Sequence, residues 1–312
     1  MLTPSRPIVS SVVALTLGVL NTACNHKAAS AAAATTDAAS IAPSSSYPVE
    51  LRDDRGRVVR VLAEPLRIVS LLPSHTETLF ALGIGARVVG VDDYSDDPPE
   101  ASRLPRLGGM YDAHLEQVLS LKPDIVLLSE SSSAAATLEQ SGITVWGGSA
   151  RTFDDIFRVI QAIGKIVGRS PEAARLSERI QREVEAIEER VAGRERVTVY
   201  YELDATPYTV GPSSFIGTML AKAGGVNVIP QGLGDFPKIS PEIVITGNPS
   251  IILGASLEEI SSRPGWGKIA AVRTGRVHKL PAAEAHLVAR PGPRIAEGLR
   301  ALARWLHPEV DL

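Results

Sequence analysis

The sequence is poor in cysteine and in aromatic residues. A single cysteine occurs among 312 residues, so no internal disulfide can form. Aromatic side chains make up 4% of the chain, and 32 basic residues against 35 acidic ones give a net charge of −3 without any basic run. Because nucleic-acid-binding proteins need a basic surface and often stack bases on aromatic rings, we expect no nucleic acid partner.

No apolar run is long enough for a permanent membrane-spanning helix. The longest, residues 8–20, has the length of the apolar segment of an export signal, and Arg6 precedes it. We therefore predict a signal peptide over residues 1–23. Residues 24–47 are mostly Ala, Ser and Thr and predict a disordered tether, because such a segment cannot bury a core.

The only cysteine, Cys24, directly follows the predicted signal peptide. A cysteine in that place resembles the lipobox of bacterial lipoproteins, in which the thiol is acylated. The match departs from the usual pattern, because Asn21 stands three residues before the cysteine and Leu20 one further back. The alternative is ordinary cleavage near Ala23 with an incidental thiol. We predict a lipid-anchored protein outside the cytoplasm.

One motif occurs twice, at residues 116–128 and 242–253. The two copies align without a gap: each has a glutamate, a valine two residues on, a proline seven residues on, and then a branched apolar run. Each copy predicts a helix that begins with an acidic residue, a turn, and a buried strand. The repetition indicates two similar lobes with one glutamate, Glu116 or Glu242, at the same place on each.

The rest of the chain predicts an α/β fold, because continuous apolar strands alternate with helices, as in a parallel sheet covered on both faces. In the middle, one charged helix has a single apolar stripe and would be about 33 Å long over residues 171–193. We predict two lobes, each a parallel sheet flanked by helices, joined by this one long rigid helix. The predicted boundaries are 48–151 for the first lobe, 152–194 for the helical linker and 195–312 for the second lobe.

Two short patterns predict capped helix starts. Ser74 and Glu77 have the spacing of a capping box, in which a hydroxyl and a carboxylate each accept a free backbone N–H. Thr152 and Asp155 suggest another cap.

Several stretches resemble the periplasmic binding proteins of ABC importers for vitamin B12, iron siderophores and haem. They are RIVSLLPSHTETLFALG, VGVDDYSDDPPEA, LEQVLSLKPDIVLL, VGPSSFIGTMLAKAGGVNVI and RPGPRIAEGLRALARWLHPE. The resemblance covers residues 66–309, and the YSDDPP run is most like the cobalamin binders. It implies a monomeric lipoprotein that captures cobalamin between its lobes and delivers it to a permease dimer with ATPase subunits. A ferric-siderophore or haem carrier is the alternative within the class.

The resemblance also implies ligand-binding residues on loops of both lobes. Tyr94 and Phe236 match aromatic residues that flank the corrin, although the first could cover the sheet end and the second could be a core residue. Met110 stands where cobalamin binders often have tryptophan, with Tyr111 beside it. Methionine can cover an apolar face but cannot stack as a ring does.

Three further residues are candidates for ligand contact. His75 could ligate cobalt or haem iron, although a histidine held by the turn is the competing interpretation. His286 and Arg290 lie in a loop near the family's cleft edge. Arg290 could hold a carboxylate of the ligand or have a structural role.

The same resemblance implies that Glu116 and Glu242 dock the protein on permease arginines. The competing interpretation is that each only stabilises the start of its helix. No metal-site spacing, nucleophile elbow or phosphate-binding loop is present in the sequence, so we expect no catalytic or structural metal, no cofactor and no enzymatic activity. A sensory or structural lipoprotein without a ligand remains a third hypothesis.

Overall fold

The structure is a computed structural model that describes residues 47–312. The predicted signal peptide, tether and lipidation of Cys24 lie outside the described residues. These described residues belong to one compact unit, Ser45–Leu312. Within them, every helix is too short or too polar to cross a lipid bilayer. Each parallel sheet together with its helices is called a lobe. The domain boundaries given above remain predictions.

A β-hairpin precedes the first lobe. Its antiparallel strands are β1 (Val49–Arg52) and β2 (Val58–Val61). The turn between them is fixed to the first lobe by the carboxylate of Asp53, which is buried and accepts the backbone N–H of Gly147 at 3.2 Å. The hairpin thereby covers one end of the first sheet.

The first lobe has a four-stranded parallel sheet with continuous apolar strands, as the sequence predicts. In chain order its elements are β3 (Ile68–Ser70), α1 (Pro73–Ala81), β4 (Val88–Val91), α2 (Leu115–Ser120), β5 (Ile125–Leu128), α3 (Ala134–Gln140) and β6 (Thr144–Gly147). The strand order across the sheet is β4-β3-β5-β6.

Two helices connect the lobes, α4 (Phe153–Ile166) and α5 (Ser170–Val191). The apolar stripe of α5 is buried over the whole length of the helix, at Leu176, Ile180, Val184, Ile187 and Val191. It packs into the same core cluster as residues of both sheets, so the predicted long helix is confirmed as an element that contacts both lobes.

The second lobe has a parallel sheet in the order β11-β10-β7-β9, with the short strand β8 antiparallel to β7. Its strands are β7 (Val197–Asp204), β8 (Tyr208–Thr209), β9 (Gly225–Asn227), β10 (Ile251–Leu253) and β11 (Val277–His278). Its helices are α6 (Phe215–Lys222), α7 (Pro241–Gly247), α8 (Leu257–Ser261), α9 (Ala270–Arg273), α10 (Ala282–Ala289) and α11 (Ile295–Leu306).

The two lobes share one topology when β8 is set aside. In each sheet the first strand pairs with the second on one side and with the third on the other, and the fourth strand follows the third. The repeated motif forms α2, a turn and β5 in one lobe, and α7, a turn and β10 in the other. Lys122 and Asn248, which precede the prolines of these turns, are the only non-glycine residues with positive φ in the described part of the chain. The two copies of the motif therefore share their backbone conformation as well as their sequence pattern.

One predicted cap is wrong and the other is confirmed. Helix α1 begins at Pro73, and no side chain caps its start. The carboxylate of Glu77 does not reach back to the backbone because arginines of the second lobe hold it, as described below. By contrast, Thr152 and Asp155 form a complete capping box at α4.

Candidate functional site

The loops after the carboxyl ends of the strands carry most of the candidate ligand residues, as expected for an open parallel α/β sheet. Tyr94 lies three residues after β4 and is 67% exposed. Its loop is tightly bonded: the backbone N–H of Tyr94 donates to the carboxylate of Asp92 at 2.8 Å, and the guanidinium of Arg106 donates to the carbonyls of Asp92 and Ser95. Burial raises the pKa of Asp92 above its ordinary value. The loop therefore presents an exposed ring on a rigid backbone.

The turn that carries Met110 lies directly beside Tyr94. A Cβ at Gly109 would lie 3.4 Å from the Tyr94 ring, at van der Waals distance, so the ring and this turn are neighbours. Gly108 has φ +83°, a conformation that glycine adopts without strain. The Met110 carbonyl accepts a hydrogen bond from Ser132 at 3.2 Å, and its sulfur lies 3.6 Å from the Ser131 hydroxyl. Tyr94 and Met110 thus form one continuous surface of the first lobe.

Serine hydroxyls extend this surface. The hydroxyl of Ser129, at the end of β5, lies 2.9 Å from that of Ser131 and 3.0 Å from that of Ser149. Ser129 itself is buried and also donates to the Glu130 carboxylate at 3.2 Å, so only Ser131 and Ser149 can extend the surface, and they lie beside a carboxylate.

Tyr111 and Phe236 are the other exposed aromatic candidates. Tyr111 is 76% exposed beside Met110, and Phe236 is 47% exposed on the loop between β9 and α7 of the second lobe. The Phe236 ring contacts Phe215 edge-on at 6.4 Å between centroids. Since β4 and β9 are the corresponding strands of the two sheets, Tyr94 and Phe236 stand on corresponding loops. Their roles as ligand contacts stay predictions.

A cluster of charged residues joins the two lobes at one side of this surface. We call it the interlobe latch, and it consists of Glu77, Asp96 and Asp97 from the first lobe and Arg290 and Arg294 from the second. Glu77 is buried and accepts from both arginines, at 3.2 Å from Arg290 Nη1 and 3.1 Å from Arg294 Nη2. Arg290 Nη1 also lies 2.6 Å from Asp96, and Arg294 Nη1 lies 2.9 Å from Asp97.

Both terminal nitrogens of Arg290 are engaged within the protein. Burial alone would raise the pKa of Asp96, but the hydrogen bond and positive charge of Arg290 outweigh it and hold that pKa below its ordinary value. His286 Nδ1 lies 3.5 Å from the other Asp96 oxygen, at the exposed edge of the same group. The structure thus places His286 and Arg290 together near Tyr94, with Arg290 already engaged by the protein.

His75 is in a different environment from the other candidates. It is completely buried under the strand ends, its ring lies 5.3 Å from that of Trp146, and neither ring nitrogen has a hydrogen-bond partner among the described residues. Burial lowers its pKa to about 4. Its predicted role as a metal ligand would require the ring to leave this site.

Glu116 and Glu242 occupy equivalent and exposed positions. Each is the second residue of its helix, α2 or α7, and each precedes a buried valine, Val118 or Val244, by two residues. The hydroxyl of Ser240 also contacts the carboxylate of Glu242. This placement fits both predicted roles, docking and helix stabilisation.

A separate cavity of about 790 Å³ lies between α1, α5 and the segment before α11. Phe80, Ile180 and Pro293 supply apolar walls, and Glu77 and Arg294 of the latch line it too. Tyr94, Met110 and Phe236 do not line it, so it is distinct from the candidate ligand surface.

The sequence reasoning missed Glu77, Asp96, Asp97 and Arg294 as functional candidates. Glu77 is more than 200 residues from its arginines, and hydrogen bonds over such separations leave no local pattern in a sequence. The available signals were two arginines four residues apart, Arg290 and Arg294, and the paired aspartates after Tyr94.

Comparisons with known proteins agree with this architecture. A family described as periplasmic binding protein matches residues 68–284. An uncharacterized ABC transporter substrate-binding lipoprotein of Bacillus subtilis, YvrC, is 32% identical over 278 residues, which is 85% of this chain and 87% of that protein. The vitamin B12-binding protein BtuF of Vibrio cholerae has a solved structure with 25% identity and a TM-score of 0.66, covering 78% of this chain and 97% of that one. The haem-binding protein RhuT of Roseiflexus has 26% identity and a TM-score of 0.70, covering 78% and 98%.

Proposed function

Because the chain belongs to the periplasmic binding protein family, we propose that it is the substrate-binding protein of an ABC importer and that its ligand is cobalamin. The two-lobed fold and the exposed loops at the strand ends support a binding role without a chemical step. The proposed partners are a permease dimer and its ATPase subunits, and the proposed location is outside the cytoplasm, with Cys24 as a lipid anchor and the protein as a monomer.

The pairing of the cleft-edge arginines is the observation that carries the choice of ligand. Arg290 and Arg294 are held by the three carboxylates of the latch, and Arg151, on the loop after β6, is 2.8 Å from Glu130. Arg290 and Arg294 are thus engaged at the buried Glu77, from which removing an arginine is costly, whereas the exposed Arg151 forms only a surface ion pair.

The exposed candidates on these loops include the rings of Tyr94, Tyr111 and Phe236, with the thioether of Met110 and the hydroxyl of Ser131 beside them. Cobalamin presents a large corrin face surrounded by neutral carboxamide groups, which match exposed rings and serine hydroxyls. Haem carries two propionates and many ferric siderophores are anionic, so both would call for unpaired cations. A haem or siderophore ligand is therefore the second candidate, supported by the haem-binding structural relative.

The first experiment is a comparison of ligands on the purified protein without its signal peptide. We expect cyanocobalamin to give a larger thermal shift and tighter binding by calorimetry than haem or a ferric hydroxamate siderophore. A larger shift with haem or the siderophore would overturn the choice of cobalamin. No shift with any of the three would favour a protein that has lost its ligand.

Aromatic substitutions test the location of the site. Replacing Tyr94 or Phe236 by leucine should weaken cyanocobalamin binding roughly five- to tenfold, because a stacked ring contributes about 1 to 1.5 kcal/mol beyond its buried area. The control is Leu62→Ala, at a residue that is 72% exposed beyond the end of the hairpin. Equal affinities for all three variants and the unmodified protein would place the ligand elsewhere.

A further inference from the structure

We propose that the interlobe latch positions Tyr94 for ligand binding by fixing the Tyr94 loop to the opposite lobe. The inference rests on the proposed function for its ligand, but its structural part can be tested without any ligand. In it, Arg290 is a positioning residue and not a ligand-binding residue.

The backbone carbonyl of Tyr94 supplies the most direct contact. Arg290 Nη2 donates to that carbonyl at 2.9 Å, while Nη1 of the same guanidinium binds Asp96 and Glu77. The planar guanidinium of Arg290 therefore holds the loop at Tyr94, whose ring is exposed, and again at Asp96. Because the guanidinium fork is rigid, these bonds fix direction as well as distance.

Arg294 fixes the next residue of the same loop. Its Nη1 lies 2.9 Å from Asp97, and its Nε and Nη2 reach the Glu77 carboxylate at 3.2 Å and 3.1 Å. Tyr94 is therefore followed by two carboxylates, and each is held by a different arginine of the second lobe. Gly292, between the arginines, packs against Ser74 at the start of α1, where an added side chain would come within 3.1 Å.

Burial makes the latch more than a surface ion pair. The side chain of Glu77 is 3% exposed and that of Arg290 is 11% exposed. A buried carboxylate that loses its partners is strongly destabilised, so the two lobes favour the arrangement in which Glu77 stays paired with both arginines. A motion that separates the lobes at this side would pull Arg290 from the Tyr94 carbonyl and release the ring from its position. The latch thereby couples separation of the lobes to loss of the contact between the Tyr94 ring and the ligand.

The test variant replaces the two exposed carboxylates, Asp96→Asn with Asp97→Asn. These residues are chosen because their side chains are 48% and 36% exposed, so the substitutions leave the buried Glu77 paired with both arginines. The matched control is Glu172→Gln, which removes an exposed carboxylate 3.1 Å from Arg175 on α5. Thermal unfolding verifies that both proteins are folded.

The first measurement is hydrogen exchange in the ligand-free protein. We expect amides of residues 93–97 to exchange roughly tenfold faster in the latch variant, since charge-assisted hydrogen bonds of this kind hold the loop, and to be unchanged in the control. Unchanged exchange in the latch variant would overturn the proposal that the paired carboxylates of the latch hold the loop, whether or not the protein binds cobalamin.

The second measurement is a double-mutant cycle on the dissociation rate of cyanocobalamin, combining the latch variant with Tyr94→Leu. If the latch acts by positioning Tyr94, dissociation should accelerate roughly tenfold in each variant, and the combination should be little faster than either one. Additive effects would show that the latch stabilises the fold without positioning the ring, and they would overturn the proposal. If the unmodified protein does not bind cyanocobalamin, the proposed function fails. The exchange experiment alone then tests whether the latch holds the Tyr94 loop.

Discussion

His75 is a completely buried base, and its burial makes the free energy of unfolding depend on pH. Its ring is completely buried against Trp146, and burial lowers its pKa to about 4 from an ordinary value near 6.5. Between these two values the unfolded chain binds a proton that the folded protein does not. The free energy of unfolding therefore falls as the pH is lowered through 6.5, and the loss is complete below about 4.

We expect the unfolding free energy to decrease by about 2 kcal/mol between pH 7.5 and pH 5 because of His75 alone. Urea titrations at both pH values measure this change. His75→Leu, which is close in volume and cannot titrate, should lose that part of the decrease, while His114→Gln at an exposed position should keep it. A His75→Leu protein with the full decrease would mean that other groups cause it.

At the scale of single elements, the two predicted caps provide a matched pair of substitutions. The hydroxyl of Thr152 accepts the backbone N–H of Asp155, whereas no side chain caps the start of α1 near Ser74. Thr152→Ala should lower the unfolding free energy by about 1 kcal/mol. Ser74→Ala keeps the Cβ that contacts Gly292 and should change it by less than about 0.5 kcal/mol. Equal losses in urea denaturation would show that the serine hydroxyl also supports its helix.

The elements also show how far the sequence predicts the molecule. The repeated motif and the stripe of α5 depend on contacts within a few helical turns, and such contacts leave a periodic pattern that can be read without coordinates. Glu77 shows the limit, because its spacing from Ser74 matches a capping box while its energetically dominant partners come from another lobe. Burial next to two guanidinium groups outweighs a local cap, and only the tertiary arrangement reveals that competition.

At the scale of the whole molecule, the two lobes share one topology. Each lobe carries an acidic residue at the start of the corresponding helix. Glu116 and Glu242 are exposed in α2 and α7, and the turns that follow share a left-handed residue before proline, Lys122 or Asn248. A helix needs only its own acidic residue to gain a few tenths of a kcal/mol at its start. Stabilisation of its own helix explains each glutamate separately. It does not explain why the two glutamates occupy the same position in the repeated motif.

The proposed docking of both lobes on a two-fold permease would account for the match, because a symmetric partner would present the same cation twice. We therefore expect Glu116→Lys and Glu242→Lys each to reduce cobalamin uptake in reconstituted vesicles, and the double variant to abolish it. Charge reversal at an exposed rim slows association and places like charges opposite each other. Affinity for cyanocobalamin in solution should stay unchanged, since neither residue lies on the loops that carry Tyr94 and Phe236.

Glu178→Lys provides the control for charge, because this residue is also exposed but lies on α5. Its uptake should equal that of the unmodified protein. Raising the salt concentration should weaken the interaction of the unmodified protein with the permease but should not weaken that of the double variant, because the reversed charges repel and salt screens that repulsion. If the double variant supports full uptake, the matched glutamates serve only their helices, and the symmetry of the lobes has no role in recognition by the permease.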